Sequence, residues 1–267
     1  MHVRAVLLFL LLSGLVLFVC MGQIAKRGGD GKTLVEHETH GYADNYKYSL
    51  LREMHALYRP RISRIVMLGD SITYKCDWNE LLSRNDVVNR GIGGDITEGY
   101  LNRLDDIYQL KPEACFIMGG INDFLQGLGE ETVYRNLIAI AESLREKGIR
   151  PILQSTLMLS KQRRPWREVN AKVSRLNERL KEYARAQHMD YIDLNARLAD
   201  GRAMNARHVV DGMHLRASAY EIWRDLILEK LCDPDLCWSN SLLEQCEGSP
   251  SRPVACDGIS RMPKQGG

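Results

Sequence analysis

Ser71 stands just beyond the apolar run Ile65 to Leu68, in the turn Gly69-Asp70-Ser71. A serine hydroxyl attacks a carbonyl at neutral pH only when a base takes its proton during the attack. A base and an orienting acid occur together much later, in Asp211-Gly212-Met213-His214. Within one turn, Asp211 would fix the tautomer of His214 and stabilise its imidazolium, as the acid of a serine triad does. The chemistry open to these three residues is therefore nucleophilic acyl transfer. Each also has a plain structural reading. Gly-Asp-Ser is a common turn, and Asp211 to His214 would serve as a capped turn before the last helix. The G-x-S-x-G elbow is absent, because the single glycine sits two residues before Ser71.

Two further blocks share the placement of Ser71 at the end of an apolar run. Asn89-Arg90-Gly91-Ile92-Gly93-Gly94-Asp95 follows Val87-Val88, and Gly119-Gly120-Ile121-Asn122-Asp123 follows Cys115 to Met118. Turns that end parallel strands lie at the carboxyl edge of the sheet, where open α/β proteins bind ligands. A helix starting at Ser71 would also aim free backbone N–H groups at that edge. With Ser, Gly, Asn and His blocks in this order, the chain resembles the SGNH hydrolases, also called GDSL esterases and lipases. The resemblance runs from roughly Arg64 to Leu231.

That resemblance implies hydrolysis of carboxylic esters through an acyl-enzyme, with no metal or organic cofactor. It assigns Ser71 as nucleophile, His214 as base and Asp211 as its partner. The oxyanion donors it implies are the backbone N–H of Ser71, the backbone N–H of Gly94, with Gly93 as the neighbouring alternative, and the side-chain amide of Asn122. The Asn89 to Asp95 block looks most like that of the branch related to platelet-activating-factor acetylhydrolase. Short acyl or acetyl groups on a lipid, lysophospholipid or glycan are the expected substrates. Two readings from other classes stand beside this one: an O-acyltransferase acting on a glycan, and a catalytically silent glycan- or lipid-binding module. The complete Ser71, Asp211 and His214 set argues against silence. Asp70, Asp95 and Asp123 recur beside the functional residues and are expected to brace loops by hydrogen bonding.

The elements that must position these blocks follow from periodicity. Strands are expected at Ile65 to Leu68, Val87 to Asn89, Ala114 to Met118, Pro151 to Thr156 and Tyr191 to Leu194. Between them come a short helix at Trp78 to Leu82 and longer ones over Thr97–Leu110, Glu130–Lys147, Trp166–His188 and Ser218–Leu231. A helix over Tyr46 to Tyr58, with Tyr46, Leu50, Met54 and Leu57 at helical spacing, is expected to pack beside the first strand. Strands alternating with amphipathic helices predict a parallel sheet covered on both faces. The fold class is thus a three-layer α/β/α domain with a five-stranded parallel sheet, flavodoxin-like by the resemblance. Lys161 to Arg167 follows the fourth strand and would border the active edge. It reads as a solvated loop or as a substrate lip through Arg164 and Trp166, with Trp78 as a second stacking face. Cys76 reads as packing.

The 267 residues, 45% of them apolar, suffice for one sizeable domain, placed at residues 45–231. A net charge of +2 argues against a nucleic-acid partner. Residues 1–25 hold the apolar run Ala5 to Met21, flanked by Arg4 and by Lys26 and Arg27. This run reads as an uncleaved signal-anchor, a cleaved signal or, through Cys20, a lipoprotein signal. All three place the domain outside the cytoplasm, anchored to a membrane or secreted. Residues 26–44 read as a linker whose His37 and His40 are solvated. Residues 232–267 carry Cys232, Cys237, Cys246 and Cys256 among four prolines. Two disulfides are expected there, with all three pairings open, against free thiols or zinc. Nothing in the sequence defines an oligomeric state.

Overall fold

The five expected strands form one parallel sheet: β1 (Ile65–Gly69), β2 (Val87–Gly91), β3 (Ala114–Met118), β4 (Arg150–Gln154) and β5 (Asp190–Ile192). Every position of β1 and β3 is buried, as in strands covered on both faces. The strand order is β2-β1-β3-β4-β5, with all four pairings parallel. This is the flavodoxin-like order, which leaves a crevice between β1 and β3, where the chain turns outward in opposite directions. The structure, a computed structural model, describes residues 41–60 and 63–232. The expectations for residues 1–25, His37, His40, Cys237, Cys246 and Cys256 lie outside the described residues. Cys232 is disulfide-bonded. No helix among the described residues is long and apolar enough to cross a membrane.

Ten α-helices are present among the described residues. They are α1 (Tyr46–Leu57), α2 (Ser71–Tyr74), α3 (Trp78–Leu82), α4 (Thr97–Leu101), α5 (Asp105–Tyr108), α6 (Ile121–Leu125), α7 (Glu130–Glu146), α8 (Trp166–Ala186), α9 (Asn195–Leu198) and α10 (Ala217–Leu231). α7 and α8 pack on each other and on β4 and β5, while α10 packs on α3 and β5. The stripe of α8 is Val169, Val173, Leu176 and Leu180, all buried. Each such side chain contributes about 1.5–3 kcal/mol on leaving water. Tyr183, one turn beyond Leu180, is only half-buried and hydrogen-bonds to Glu142.

Three expectations need correction. α1 exists, but Tyr46, Leu50 and Leu57 are exposed, by 71, 51 and 71%. Its buried residues are Tyr48 and His55, and the helix packs on α5 rather than beside β1. Polar bonding selects that face. The Tyr48 hydroxyl donates to the Gly99 carbonyl at 3.2 Å, and Arg52 makes a forked pair with Asp106. The single helix expected over Thr97–Leu110 is broken into α4 and α5. Between them Arg103 turns into the core, fully buried, and binds Asp95 Oδ2 at 2.9 Å. Finally, Trp78 is 1% exposed and offers no face to a substrate. Its ring meets Trp223 edge-on at 4.9 Å, and its indole N–H donates to the Thr73 carbonyl.

Candidate active site

β1 ends at Gly69, and the chain turns at once into α2, whose first residue is Ser71. The turn is tight because Gly69 has no side chain. A Cβ there would lie 2.0 Å from Thr73 Oγ1 and 2.9 Å from the Met118 carbonyl. Asp70 caps α2, its Oδ1 accepting the Ile72 N–H at 2.8 Å. Ser71 is therefore held at the β1/β3 crevice with its side chain half-exposed. As the first residue of α2, its backbone N–H has no acceptor within the helix.

His214 arrives from the opposite end of the chain. Val209 and Leu215 form an antiparallel bridge, and the Val210 N–H donates to the His214 carbonyl at 2.8 Å. This closed turn carries Asp211 and His214. His214 Nε2 lies 2.9 Å from Ser71 Oγ, and His214 Nδ1 lies 2.7 Å from Asp211 Oδ2. Asp211 Oδ1 accepts the backbone N–H groups of His214 at 2.8 Å and Met213 at 3.1 Å. Partial burial disfavours the Asp211 carboxylate, but the hydrogen bonds from the His214 ring and from these two N–H groups outweigh it. They hold its pKa well below the usual carboxylate range. The ionised Asp211 thereby selects the tautomer with hydrogen on Nδ1, leaving Nε2 to accept from Ser71.

The other two blocks meet beside this chain of bonds. Gly93 and Gly94 lie in the turn closed by Asp95 N–H to the Ile92 carbonyl. A Cβ on Gly93 would stand 3.9 Å from Ser71 Cβ, so this turn flanks the serine. Gly94 has φ +78°, a region other residues enter only under strain. Asn122 is in the first turn of α6, 9% exposed, and its Nδ2 donates to the Asp95 carbonyl at 2.9 Å. An amide nitrogen carries two hydrogens, so one remains for a further acceptor. Asp123 accepts from the backbone and hydroxyl of Thr97. Asp70, Asp95 and Asp123 thus brace the three loops, as expected.

Arg103 was not foreseen as part of this support. Besides Asp95, it donates to the Arg90 carbonyl at 2.7 Å and the Gly69 carbonyl at 3.1 Å. It therefore ties the ends of β1 and β2 to the glycine turn. A charged residue between Tyr100 and Leu104 on the apolar face was the available signal. Asn45 and Lys47 were also missed: both reach Gly93, one by a hydrogen bond and one by close approach.

Arg164 and Trp166 line a cleft of about 500 Å³ with Lys161, Pro165, Arg167 and Glu168, and Ser71, Asp211 and His214 are not among its walls. The Arg167 guanidinium covers the Trp166 ring at 4.7 Å. The segment does touch the histidine turn, where the Ser160 N–H donates to the Gly212 carbonyl at 2.8 Å. Cys76 is a free thiol packed against the core, and burial pushes its pKa up to about 12. Among the described residues no group of three or more His, Cys, Asp or Glu converges as metal ligands would.

Asp70 yields a stability prediction. Burial, reinforced by the nearby Asp95 and Asp123, raises its pKa from 3.8 to about 7 against the opposing hydrogen bond from Ile72. Between those values the unfolded chain gives up this proton while the folded chain keeps it, so this group's contribution to stability falls as pH rises. Asn caps a helix as well as Asp does. The melting temperature of Asp70→Asn relative to the unsubstituted protein should therefore increase as pH is raised from 4 to 7. A difference that stays flat, or narrows, contradicts the raised pKa.

The chain is similar to several known proteins. The family model described as GDSL-like Lipase/Acylhydrolase matches residues 67–222. The rat platelet-activating factor acetylhydrolase IB subunit alpha2 is 29% identical over 179 residues, covering 64% of this chain and 73% of that protein. The human alpha1 subunit is 28% identical over 165 residues, covering 58% and 70%. Among solved structures, a GDSL-like lipase of Bacteroides thetaiotaomicron superposes with TM-score 0.61 at 25% identity, covering 68% of this chain and 96% of that one. The lipase/acylhydrolase of Enterococcus faecalis does so with TM-score 0.56 at 25% identity, covering 64% and 95%.

Proposed function

Since the chain belongs to the GDSL-like lipase/acylhydrolase family, the SGNH hydrolases, and is an ester hydrolase, we propose that Ser71, His214 and Asp211 are its catalytic triad. The observation that carries this reading is the unbroken chain of bonds from Ser71 Oγ through His214 to Asp211, at 2.9 and 2.7 Å. Ser71 attacks the ester carbonyl while His214 Nε2 takes its proton. The tetrahedral oxyanion is met by the N–H groups of Ser71 and Gly94 and by the second N–H of Asn122. His214 then protonates the departing alcohol, and a water activated by the same imidazole frees the acyl group from Ser71.

For the substrate we propose a short acyl ester, acetyl first, on a lipid or glycan. The support is the likeness to acetylhydrolase subunits named for platelet-activating factor. We place the domain outside the cytoplasm, supported by the disulfide at Cys232 and by the apolar run Ala5 to Met21. Attachment to a membrane through that run belongs to the same proposal.

The test is turnover on p-nitrophenyl esters of graded chain length, then on lysophospholipids and acetylated glycans. Highest kcat/KM on acetyl or other short esters is expected. A steady rise toward long chains contradicts the acyl-length proposal. Repeating the assay with a sugar acceptor separates hydrolysis from acyl transfer, and free acid is expected as the main product.

A further inference from the structure

The Gly93–Gly94 peptide is gripped from a segment that precedes the family-matched residues. Asn45 is the N-cap of α1, and its side chain faces two ways. Its Oδ1 accepts the Lys47 N–H at 3.1 Å, closing the first turn of the helix. Its Nδ2 donates to the Gly93 carbonyl at 2.8 Å, across 48 residues of chain. The same nitrogen stands 3.3 Å from where a Cβ on Gly94 would be. The Gly93 carbonyl and the Gly94 N–H belong to one planar unit. Its peptide bond is trans, because Arg164–Pro165 is the only cis bond among the described residues. In a trans peptide the C=O and N–H point in opposite directions. Holding the carbonyl from outside therefore fixes the direction of the Gly94 N–H. A carbonyl that accepts a hydrogen bond also makes its own N–H a better donor.

We propose that Asn45 is a positioning residue for the oxyanion hole, its amide orienting the Gly93–Gly94 peptide so that the Gly94 N–H faces the developing charge. This rests on the reading of Gly94 as an oxyanion donor. Asn45 touches no reacting atom and acts only through that peptide. Without it, the turn is free to rock about Gly94, whose backbone has the widest conformational range of any residue. The ground state loses little, because a neutral ester carbonyl draws weakly on the donor. The transition state loses more, because the donor is aimed at an oxyanion that exists only there.

The test uses two variants of the full chain that separate the two bonds. Asn45→Ser keeps a neutral side chain that caps helices as well as Asn does, but it lacks the amide donor. Asn45→Ala loses both bonds. For Asn45→Ser, kcat on p-nitrophenyl acetate should fall roughly 10- to 10²-fold, below the 10²–10³ of a deleted donor, with KM changed less than about twofold. Affinity for an alkyl boronic acid, which forms a tetrahedral adduct on the nucleophile, should weaken by the same factor as kcat. The melting temperature should hold in Asn45→Ser and drop in Asn45→Ala, with kcat reduced similarly in both. A kcat for Asn45→Ser within twofold of the unsubstituted protein overturns the proposal, as does a loss confined to KM. A loss of kcat with no change in boronate affinity also overturns it. Failure of the proposed triad shows elsewhere: the unsubstituted protein would then not be labelled at Ser71 by a fluorophosphonate.

Discussion

Ser71→Ala is expected to reduce kcat for ester hydrolysis by about 10⁶-fold, the loss that follows removal of a triad nucleophile. The fold should survive the change. Among the described residues the Ser71 side chain bonds only to His214, and the cap of α2 comes from Asp70. The melting temperature should therefore move little while activity disappears. The residual rate should exceed the uncatalysed one, since the proposed oxyanion donors and the binding surface stay in place. Hydrolysis within tenfold of the unsubstituted rate would mean that another group attacks the ester.

Asp211 yields the second large effect, through a rank order that follows from its hydrogen bonds. In Asp211→Asn the side-chain oxygen can keep the two backbone N–H bonds that now go to Oδ1. The amide nitrogen would then face His214 Nδ1, where Asp211 Oδ2 stands at 2.7 Å. Two N–H groups cannot face each other, so the imidazole must place its hydrogen on Nε2. That tautomer cannot accept the proton of Ser71, and kcat should fall by about 10⁴-fold. Asp211→Ala leaves Nδ1 open to water, because the Asp211 side chain is 45% exposed. Water accepts from Nδ1–H and allows the productive tautomer, so Asp211→Ala should retain more activity than Asp211→Asn. Steady-state kinetics on one p-nitrophenyl ester decide the order. Equal losses, or a smaller loss for Asn, would contradict tautomer control by Asp211.

The sheet and three of its loops were legible because the blocks of Ser71, Gly94 and Asn122 each end an apolar run of strand length. Periodicity finds such runs, and the parallel order then brings their ends to one edge. What escaped it was burial achieved by polar bonding. Tyr48 and Arg52 hold the inward side of α1 through a hydroxyl and a guanidinium, and His55 is buried beside them. A hydrophobic count favours Tyr46, Leu50 and Leu57 instead, and these are exposed. Arg103 escaped for the same reason, since burying a guanidinium requires partners distant in sequence, here Asp95 and the carbonyls at Gly69 and Arg90. Trp78 was misjudged because an aromatic beside a candidate nucleophile reads equally as a stacking face or as core. Packing against Trp223, which is 145 residues away, decided it. The residues of the proposed triad stand out in the sequence, but Asn45 does not. Its role depends on a contact between a helix cap and a glycine turn that no local pattern encodes.

The most direct test of the account is covalent labelling with a fluorophosphonate, followed by peptide mass analysis. The phosphonyl group should be found on Ser71 alone. Labelling should be lost in His214→Ala, because the hydroxyl then has no base to take its proton. A label on any other serine, or labelling of Ser71 that proceeds undiminished in His214→Ala, would contradict the assignment of Ser71 and His214 as nucleophile and base.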